Sequence, residues 1–321
     1  MLIGVDIGGT KCAVIAAKRT ETGVDILARE AFATAGKTPQ AVIERFDGVI
    51  RRFTEKEPCE AIGISCGGPL DSEKGVILSP PNLPGWDHIE ITRHFSEVFG
   101  VPTRLINDAN ASALAEWKYG AGIGTKNMVF LTFGTGLGAG LIVNGALFEG
   151  TNGMAGEAGH MRLAPFGPSG YGKCGSFEGF CSGGGIGRLA QAMARKTIEN
   201  GGSTLMCEDA EGIGRITAKI AAEAAENGDE TAIEVYKICG EKLGEGLAII
   251  ADILDPQAII IGSIFARSGH LLRDSMEKAL HREALKQTAE CKIIPAGLGE
   301  KIGDSALLAI ALDAAANGGE T

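Results

Sequence analysis

Two apolar runs that flank a pair of glycines open the chain, and this stretch constrains the possible folds more than any other. The first run spans residues 2–7, Gly8 and Gly9 follow, and the second run spans residues 12–17. Apolar runs around a Gly-Gly turn predict a β-hairpin. A hairpin made only for packing would need no charged residues beside its turn, yet an acid and a lysine flank this one.

The polar residues around the turn are those expected of an anion site. Asp6 lies near the end of the first strand, and Thr10 and Lys11 begin the second. Backbone N–H groups at Gly8 and Gly9 can approach an anion closely, and lysine adds a positive charge. Asp6 could then hold a hydrated Mg²⁺ beside phosphate groups. The alternative is a core hairpin with a buried or edge aspartate, and the motif alone does not decide between the two.

Length, charge and cysteine content narrow the class of protein. The chain has 321 residues, enough for two domains, and its formal net charge of −10 disfavours nucleic acid as a partner. The N-terminus shows no signal-peptide pattern, and no apolar run reaches the ~18 residues of a membrane span. Eight cysteines without a Cys-x-x-Cys pair indicate reduced thiols. We therefore expect a cytoplasmic protein that binds neither nucleic acid nor a membrane.

Hydrophobic periodicity predicts strands that alternate with helices, which is the pattern of an α/β fold. Besides the opening hairpin, we expect strands at 24–34, 60–65, 103–106, 258–263 and 291–295. We expect helices at 39–53, 88–99, 111–119, 186–199, 212–227, 230–254, 269–283 and 305–316.

Polar loops follow several of these strands directly, at the position where ligands gather in open α/β sheets. The turn at 66–71 follows one strand, and Asn107 and Asp108 follow the next. Either residue could simply cap the following helix. Asp108 could also accept the proton of an attacking hydroxyl group, and both interpretations hold if Asn107 is the cap. The loop at 79–86 is either a plain connection or an exposed platform that presents Trp86 to a ligand.

The glycine hairpin recurs later in the chain. Residues 128–143 are again strand, Gly/Thr turn and strand, and alignment on the turns places Gly8 on Gly134 and Asp6 on Thr132. Such an internal repeat predicts two related lobes, each led by a hairpin. Two such turns could contact a chain of phosphates from both sides.

Seven motifs, in order, resemble those of the ROK family of bacterial sugar kinases and sugar-responsive repressors. They are Asp6-Ile-Gly-Gly-Thr-Lys11, Gly67-Gly-Pro-Leu-Asp71, Pro81-Asn-Leu-Pro-Gly-Trp86, Asn107-Asp-Ala-Asn110, Thr132-Phe-Gly-Thr-Gly-Leu-Gly138, Gly156-Glu-Ala-Gly-His160 and Gly303-Asp-Ser-Ala-Leu307. The resemblance covers essentially the whole chain. It implies a two-lobed α/β fold of the actin-like, ribonuclease H-like ATPase type.

The resemblance also implies an activity and a domain layout. The activity is ATP-dependent phosphorylation of a hexose at its 6-hydroxyl, with glucose as the default acceptor. The alternative acceptors are N-acetylmannosamine or another hexose or N-acetylhexosamine. The implied layout has a small N-terminal lobe at 1–110, a large lobe at 111–303, and a last helix at 304–321 that packs back on the first lobe. The family further suggests a homodimer.

Site residues carry over from the matching motifs. Asp108 is the implied general base. The implied sugar ligands are Gly68, Asn82, Asn107, Asp108, Glu157, His160 and Glu178. The implied nucleotide contacts are Asp6, Gly8, Gly9, Thr10, Lys11, Gly134, Thr135, Gly136 and, on the adenosine side, Gly262. The implied cofactors are ATP and Mg²⁺, with Asp6 holding the magnesium through water. Taken alone, His160 would more often be an ordinary surface histidine than a ligand.

One segment departs from the family pattern. Most members carry three cysteines that bind a structural Zn²⁺ together with the loop histidine. Those three positions hold Ser169, Tyr171 and Ser176 in this chain. Structural zinc requires four nitrogen or sulfur ligands, so we expect no zinc, and we expect His160 to hydrogen-bond the sugar directly. The alternative is a shift in register that lets Cys174 and Cys181 bind metal.

A sugar-sensing regulatory protein without catalysis is the competing class of function. Family repressors carry an added N-terminal helix-turn-helix, whereas Met1 stands five residues before Asp6 here. The negative net charge also disfavours binding to DNA. Because Asp6, Lys11 and Asp108 are all present, the sequence favours the kinase.

Overall fold

The computed structural model describes residues 1–20 and 23–317 of the chain. The strands are β1 (Leu2–Ile7), β2 (Lys11–Thr20), β3 (Gly23–Ala33), β4 (Ala61–Cys66), β5 (Leu70–Asp71), β6 (Val76–Leu78), β7 (Asp87–Ile89), β8 (Thr103–Asn107), β9 (Met128–Phe133), β10 (Leu137–Val143), β11 (Ala146–Leu147), β12 (Ser169–Gly170), β13 (Lys173–Cys174), β14 (Ala258–Ile261) and β15 (Lys292–Pro295). The helices are α1 (Pro39–Thr54), α2 (Ile91–Phe99), α3 (Asp108–Tyr119), α4 (Phe177–Phe180), α5 (Gly183–Glu199), α6 (Ala218–Glu226), α7 (Glu230–Leu254), α8 (Ile264–Glu283) and α9 (Ile302–Asn317).

The chain forms two compact units. Unit 1 comprises Met1–Ile123, Leu147–Ala155 and Glu300–Thr321, and unit 2 comprises Gly124–Ala146 and Gly156–Gly299. The expected lobe boundary after residue 110 falls inside α3, which lies entirely in unit 1. The expected last helix is α9, which also lies in unit 1, and its expected final residues 318–321 lie outside the described residues.

A five-stranded sheet, in the order β3-β2-β1-β4-β8, is the centre of unit 1 within the described residues. The predicted opening hairpin is confirmed, because β1 and β2 pair in antiparallel register. β1, β4 and β8 run parallel to one another. Alternate side chains therefore reach opposite faces. One face carries Ile3 and Val5 against Phe46 of α1 and Phe95 of α2.

Helix α9 covers the opposite face of that sheet. Leu2 and Ile15 pack there against Leu307 and Ala311. The helix approaches closely because two glycines, Gly4 of β1 and Gly63 of β4, are direct neighbours in the parallel register. A Cβ atom at Gly4 would lie 2.5 Å from Cβ of Leu307, and one at Gly63 would overlap the backbone nitrogen of Ala311.

The segment 147–155 is attached to the rest of unit 1 through an arginine. Arg104 of β8 donates to Glu149 at 2.7 Å and also pairs with Asp313 of α9. One guanidinium therefore links the edge strand, the returning segment and the C-terminal helix of this unit.

Unit 2 repeats the strand arrangement of unit 1 in its own sheet, whose described strands have the order β11-β10-β9-β14-β15. β9 and β10 form the second predicted hairpin, and β14 and β15 run parallel to β9. Helices α7 and α8 pack closely because Gly240 and Gly244 leave no side chain between them; a Cβ atom at Gly244 would lie 2.6 Å from Cβ of Ala279.

Several element boundaries predicted from the sequence were wrong. Helix α2 begins at Ile91 because Asp87–Ile89 pairs with β6 as a strand. The helix expected at 212–227 is instead a 3-10 turn, Ala210–Arg215, followed by α6. Helix α8 begins at Ile264, earlier than expected, and kinks at Ser268.

Trp86 does not form an exposed ligand platform. Its side chain is 1% exposed and belongs to the same core cluster as Phe46 and Phe95. Apolar burial thus outweighed the loop location of the residue. Among the described residues, no helix is long and apolar enough to cross a membrane.

Substitution Gly63→Val should destabilise the protein by at least about 2 kcal/mol, because the new side chain would collide with backbone atoms of α9. Urea unfolding measures the change. Gly48→Ala is the matched control: Gly48 lies inside α1, and a Cβ atom added there would meet no other atom within 4 Å, so it should stabilise by roughly 0.5–1 kcal/mol. Equal stability of Gly63→Val and wild type would contradict the close packing of α9.

Candidate active site

The first glycine turn, between β1 and β2, depends on the absence of side chains. A Cβ atom at Gly8 would lie 2.6 Å from the carbonyl oxygen of Lys11, and one at Gly9 would overlap the carbonyl oxygen of Asn82. The 79–86 loop therefore packs directly on the hairpin turn. Thr10 and Lys11 are exposed, so a hydroxyl group and an ammonium group are available to a ligand at this turn.

Asp108 lies where β8 ends and α3 begins. The preceding residue, Asn107, is the N-cap, since its Oδ1 accepts a hydrogen bond from Asn110 N at 2.8 Å. The capping role expected of one of the two residues thus belongs to Asn107, which leaves the Asp108 carboxylate available. Asp108 is exposed, and its Oδ1 accepts a hydrogen bond of 2.8 Å from the Ser65 hydroxyl.

Ser65 is a residue that sequence analysis missed. It is a buried residue of β4, and the parallel register places it beside Asp6 of β1 and Ile106 of β8. The turn after β4 is also close to the carboxylate: a Cβ atom at Gly67 would lie 3.7 Å from Asp108 Oδ2, and Gly68 follows. The sequence does contain a signal for this contact. If the C-terminal ends of the three parallel strands are aligned, Ser65 and Asp108 fall close together.

The charge of Asp108 perturbs the other aspartate of this site, Asp6. Burial and then the charge of Asp108 raise the pKa of Asp6 to about 6, against the opposing charges of Arg29 and Lys11. Desolvation of its carboxylate by the surrounding protein raises the pKa of Asp108, and the hydrogen bond from Ser65 opposes that shift. The contribution of Asp108 to the shift at Asp6 is expected, because two neighbouring carboxylates cannot both ionise without repulsion.

Arg29 and Asp304 extend the charged group. Asp304, in the first turn of α9, pairs with Arg29 of β3 at 3.3 Å, and its charge also raises the pKa of Asp6. A cation at Asp6 would relieve this excess of negative charge. Within residues 1–20 and 23–317 no cluster of three or more His, Cys, Asp or Glu side chains can hold a metal, so Mg²⁺ here would need water or phosphate oxygens as further ligands.

The second glycine turn, between β9 and β10, is built differently from the first. Gly134 N donates to Gly136 O at 3.1 Å, and Gly183 N, at the start of α5, donates to Gly134 O at 2.7 Å. Thr135 between them is exposed. At the position equivalent to Asp6, Thr132 bonds through its hydroxyl to both backbone groups of Gly138, so this hairpin carries no acid.

Glu178 of α4 supports that second turn. Its Oε2 accepts a hydrogen bond of 3.0 Å from Leu137 N, and a Cβ atom at Gly136 would lie 2.8 Å from the same oxygen. The Ser176 hydroxyl caps α4 by accepting from Gly179 N. A residue expected to contact sugar is therefore also in contact with the predicted phosphate turn of its own unit.

Glu157 and His160 lie on the glycine-dense loop of unit 2. Both are exposed, and a 3-10 turn, Ala158–His160, follows Glu157 directly. The loop packs tightly on β10, since a Cβ atom at Gly156 would overlap the carbonyl oxygen of Ala139, and one at Gly159 that of Leu137.

Gly262 follows β14 and is buried, with its N–H donating to Leu131 O at 2.9 Å. The next residue, Ser263, has a φ of 50°, a backbone conformation that is uncommon for residues other than glycine and often marks functional sites. A cavity of about 600 Å³ opens beside α8. Its lining includes Phe265, Arg267, His270, Arg273 and Pro295.

Comparison with known proteins identifies the family. Residues 2–313 match the ROK family. This chain is a member of the ROK family. It is 32% identical over 306 residues to a glucokinase of Streptomyces coelicolor, with 94% of this chain and 95% of the relative covered. The structure of a ROK family glucokinase from Streptomyces griseus, in complex with glucose and AMPPNP, superposes with a TM-score of 0.74 at 32% identity, covering 97% of this chain and 99% of that one.

A second activity occurs among the relatives. An N-acetylmannosamine kinase of Citrobacter koseri is 34% identical over 191 residues, with 59% of this chain and 64% of the relative covered. The expected ROK sugar-kinase resemblance and the expected two-lobed, actin-like α/β fold are thus confirmed.

Substitution Asp6→Asn should stabilise the ligand-free protein. A carboxyl whose pKa rises from 3.8 to about 6 on folding costs stability in full above pH 6, progressively less between pH 6 and pH 3.8, and nothing well below pH 3.8. The gain should be on the order of 1–3 kcal/mol at pH 8 and should shrink as the pH falls towards 4. Denaturant unfolding at pH 8 and pH 5 measures it.

Asp304→Asn is the control for that measurement. Asp304 contributes less to the pKa shift of Asp6 than burial and Asp108 do. Its substitution also breaks the pair with Arg29 and removes an acid from the first turn of α9, so it should not stabilise the protein. A loss of stability in Asp6→Asn at pH 8 would show that Asp6 is not under the repulsion described here.

Proposed function

We propose that this protein is an ATP-dependent hexose kinase that phosphorylates the 6-hydroxyl of glucose. One observation carries the chemistry: an exposed carboxylate, Asp108, is oriented by Ser65 and lies in the same unit as the glycine turn with Lys11. Membership of the ROK family, and 32% identity to a glucokinase across nearly the whole chain, support the class of reaction and the acceptor.

In unit 1, Asp108 is the proposed general base. As the sugar oxygen bonds to the γ-phosphorus and ADP leaves, Asp108 accepts the hydroxyl proton; such positioned bases typically contribute 10²–10⁴-fold. The proposed sugar ligands of this unit are Gly68, Asn82 and Asn107, since amide groups supply both donors and acceptors to hydroxyls. The proposed phosphate contacts are Gly8, Gly9, Thr10 and Lys11.

In unit 2, the proposed sugar ligands are Glu157, His160 and Glu178, and the proposed phosphate contacts are Gly134, Thr135 and Gly136. Gly262 is proposed to face the adenosine. Helix α8 begins shortly after Gly262, and the cavity beside this helix has a volume of about 600 Å³. This volume is sufficient for a purine nucleoside. We also propose that units 1 and 2 are the two lobes of the fold, with α9 completing the first.

Asp6 is the residue proposed to hold Mg²⁺, through water. Burial and the charge of Asp108 raise its pKa, and a divalent cation beside it would favour the ionised form of the carboxylate. When bound, Mg²⁺ neutralises the phosphate oxygens during phosphoryl transfer. Lys11 adds a fixed positive charge at the same turn.

We also propose that the protein is a homodimer and that it is located in the cytoplasm. All eight cysteines are free thiols in the structure, as expected of a reducing compartment. Light scattering after size-exclusion chromatography measures the oligomeric state, and a mass equal to that of one chain would contradict the dimer.

N-acetylmannosamine is the second candidate acceptor, because an N-acetylmannosamine kinase matches part of this chain. ADP release with glucose, mannose, N-acetylglucosamine and N-acetylmannosamine tests the assignment. Glucose should give the highest kcat/KM. A higher value with N-acetylmannosamine would reassign the acceptor, and no turnover with any sugar would favour a sugar-sensing protein without catalysis.

Substitution Asp108→Asn should lower kcat at least about 100-fold while the Kd for glucose stays within about threefold, because the amide keeps the shape but cannot accept the proton. Steady-state kinetics and calorimetry measure the two quantities. Asp47→Asn is the control, since Asp47 pairs with His94 between α1 and α2. A rate above about a tenth of wild type would exclude Asp108 as the base.

Substitution Ser65→Ala should move the acidic limb of the kcat/KM profile to higher pH, because Asp108 loses the hydrogen bond that favours its ionised form. The groups that share this environment are Asp6, Lys11, Arg29, Asp304 and Cys66. Ser65→Thr retains a donor and should leave the limb near its wild-type position. An unshifted limb in Ser65→Ala would remove Ser65 from the mechanism.

A further inference from the structure

A short hairpin in unit 2 lies against His160. β12 and β13 pair in antiparallel register, and Tyr171 and Gly172 form the two-residue turn between them. Both turn residues have positive φ, 45° at Tyr171 and 77° at Gly172, as in type I′ hairpin turns. Such turns favour Asn, Asp or Gly at the first position. A bulky tyrosine held there, 70% exposed, is therefore a candidate for a functional role.

The tip of this hairpin contacts His160 in two ways. The Tyr171 ring meets the imidazole edge-on, with centroids 5.2 Å apart and planes at 76°. Lys173 Nζ donates to the carbonyl oxygen of His160 at 2.5 Å. One contact fixes the ring and the other fixes the backbone of the same residue.

Two arginines fix the hairpin itself. Arg162 Nη1 donates to the carbonyl oxygen of Cys174 at 2.7 Å, and Arg188 Nη2, from α5, donates to that of Ser169 at 2.6 Å. An arginine outside the hairpin thus bonds to each of its two strands, β12 and β13. The turn residues between these strands are therefore attached to a fixed pair of strands. Hydrogen bonds from charged donors are stronger than neutral ones.

The residues here do not fit the zinc site that the family resemblance implies. The Ser176 hydroxyl is used as the cap of α4, and the Cys181 thiol is buried and donates to Cys239 O. The exposed Cys174 thiol contacts the Ser169 hydroxyl at 3.0 Å. The described residues contain no group of three or more suitable side chains near His160, whereas tetrahedral zinc needs four.

We propose that Tyr171 and Lys173 are positioning residues that hold His160 for the acceptor sugar, without a metal ion. This proposal rests on the proposed function, which makes His160 a sugar ligand. An exposed histidine would otherwise lose rotamer freedom when the sugar binds, and a side chain already held in place loses less. The contacts of Tyr171 and Lys173 with His160 therefore affect acceptor binding more than the chemical step.

A first experiment tests the contact between Tyr171 and His160 without using the kinase activity. The carbon-bound protons of the His160 ring are followed by two-dimensional NMR of the full chain, with His160→Gln supplying the assignment among the five histidines. In Tyr171→Leu these signals should shift, because the aromatic ring beside them is gone. In Tyr171→Phe they should stay near their wild-type positions, since the edge contact does not involve the hydroxyl group.

A second experiment measures the acceptor kinetics of the same variants. Tyr171→Leu should raise the KM for sugar about three- to tenfold, with kcat changed less than about twofold, and Tyr171→Phe should match wild type. Lys173→Met should act in the same direction, and Lys173→Arg, which keeps a charged donor, should restore the KM. Thermal unfolding checks that each variant is folded, which the exposure of Tyr171 favours.

Metal analysis of protein purified without a histidine tag completes the test, with less than about 0.1 zinc per chain expected. The proposal is overturned by stoichiometric zinc, by unchanged His160 signals in Tyr171→Leu, or by an unchanged sugar KM in that variant. If the wild-type protein phosphorylates no sugar, the proposed function fails separately. The NMR comparison and the metal analysis then still decide whether Tyr171 positions His160.

Discussion

The parallel register of β1, β4 and β8 is the constraint on which the candidate site in unit 1 depends. It places Asp6 beside Ser65, and Ser65 one strand away from the start of α3, where Asp108 follows the cap Asn107. Two carboxylates that repel each other are thereby held at one edge of a rigid sheet. The strands are held in this arrangement by apolar packing on both faces of the sheet, by α1 and α2 on one side and α9 on the other.

Local patterns predicted much of this structure because the relevant signals are local. Both glycine hairpins, most helices and the cap at Asn107 follow from residue spacing over a few positions. The misses involve contacts between distant segments. Trp86 is drawn into the core, β7 forms because β6 is available to pair with it, and Ser65 acquires its partner only through strand register. The roles proposed for the site residues rest on the motif resemblance, since secondary-structure propensity assigns no chemistry to a side chain.

The two glycine turns show how one backbone motif can be used in two ways. In the first, an acid stands on the strand before the turn and a lysine after it. In the second, Thr132 satisfies backbone groups of Gly138, and Glu178 reaches the turn from α4. The electrostatic character of the two hairpins therefore differs although their strand order is the same. The repeated topology alone would not have distinguished them.

Helix α9 has a consequence for the order in which this chain matures on the ribosome. The face of the unit 1 sheet that includes Leu2 and Ile15 is covered by Leu307 and Ala311, which are synthesised almost 300 residues later. Unit 2 is made largely from one continuous stretch before that helix emerges. N-terminal domains usually complete folding first during translation. Here β1 and β2 keep an apolar surface open to water and to chaperones until α9, almost 300 residues further along the chain, has been made.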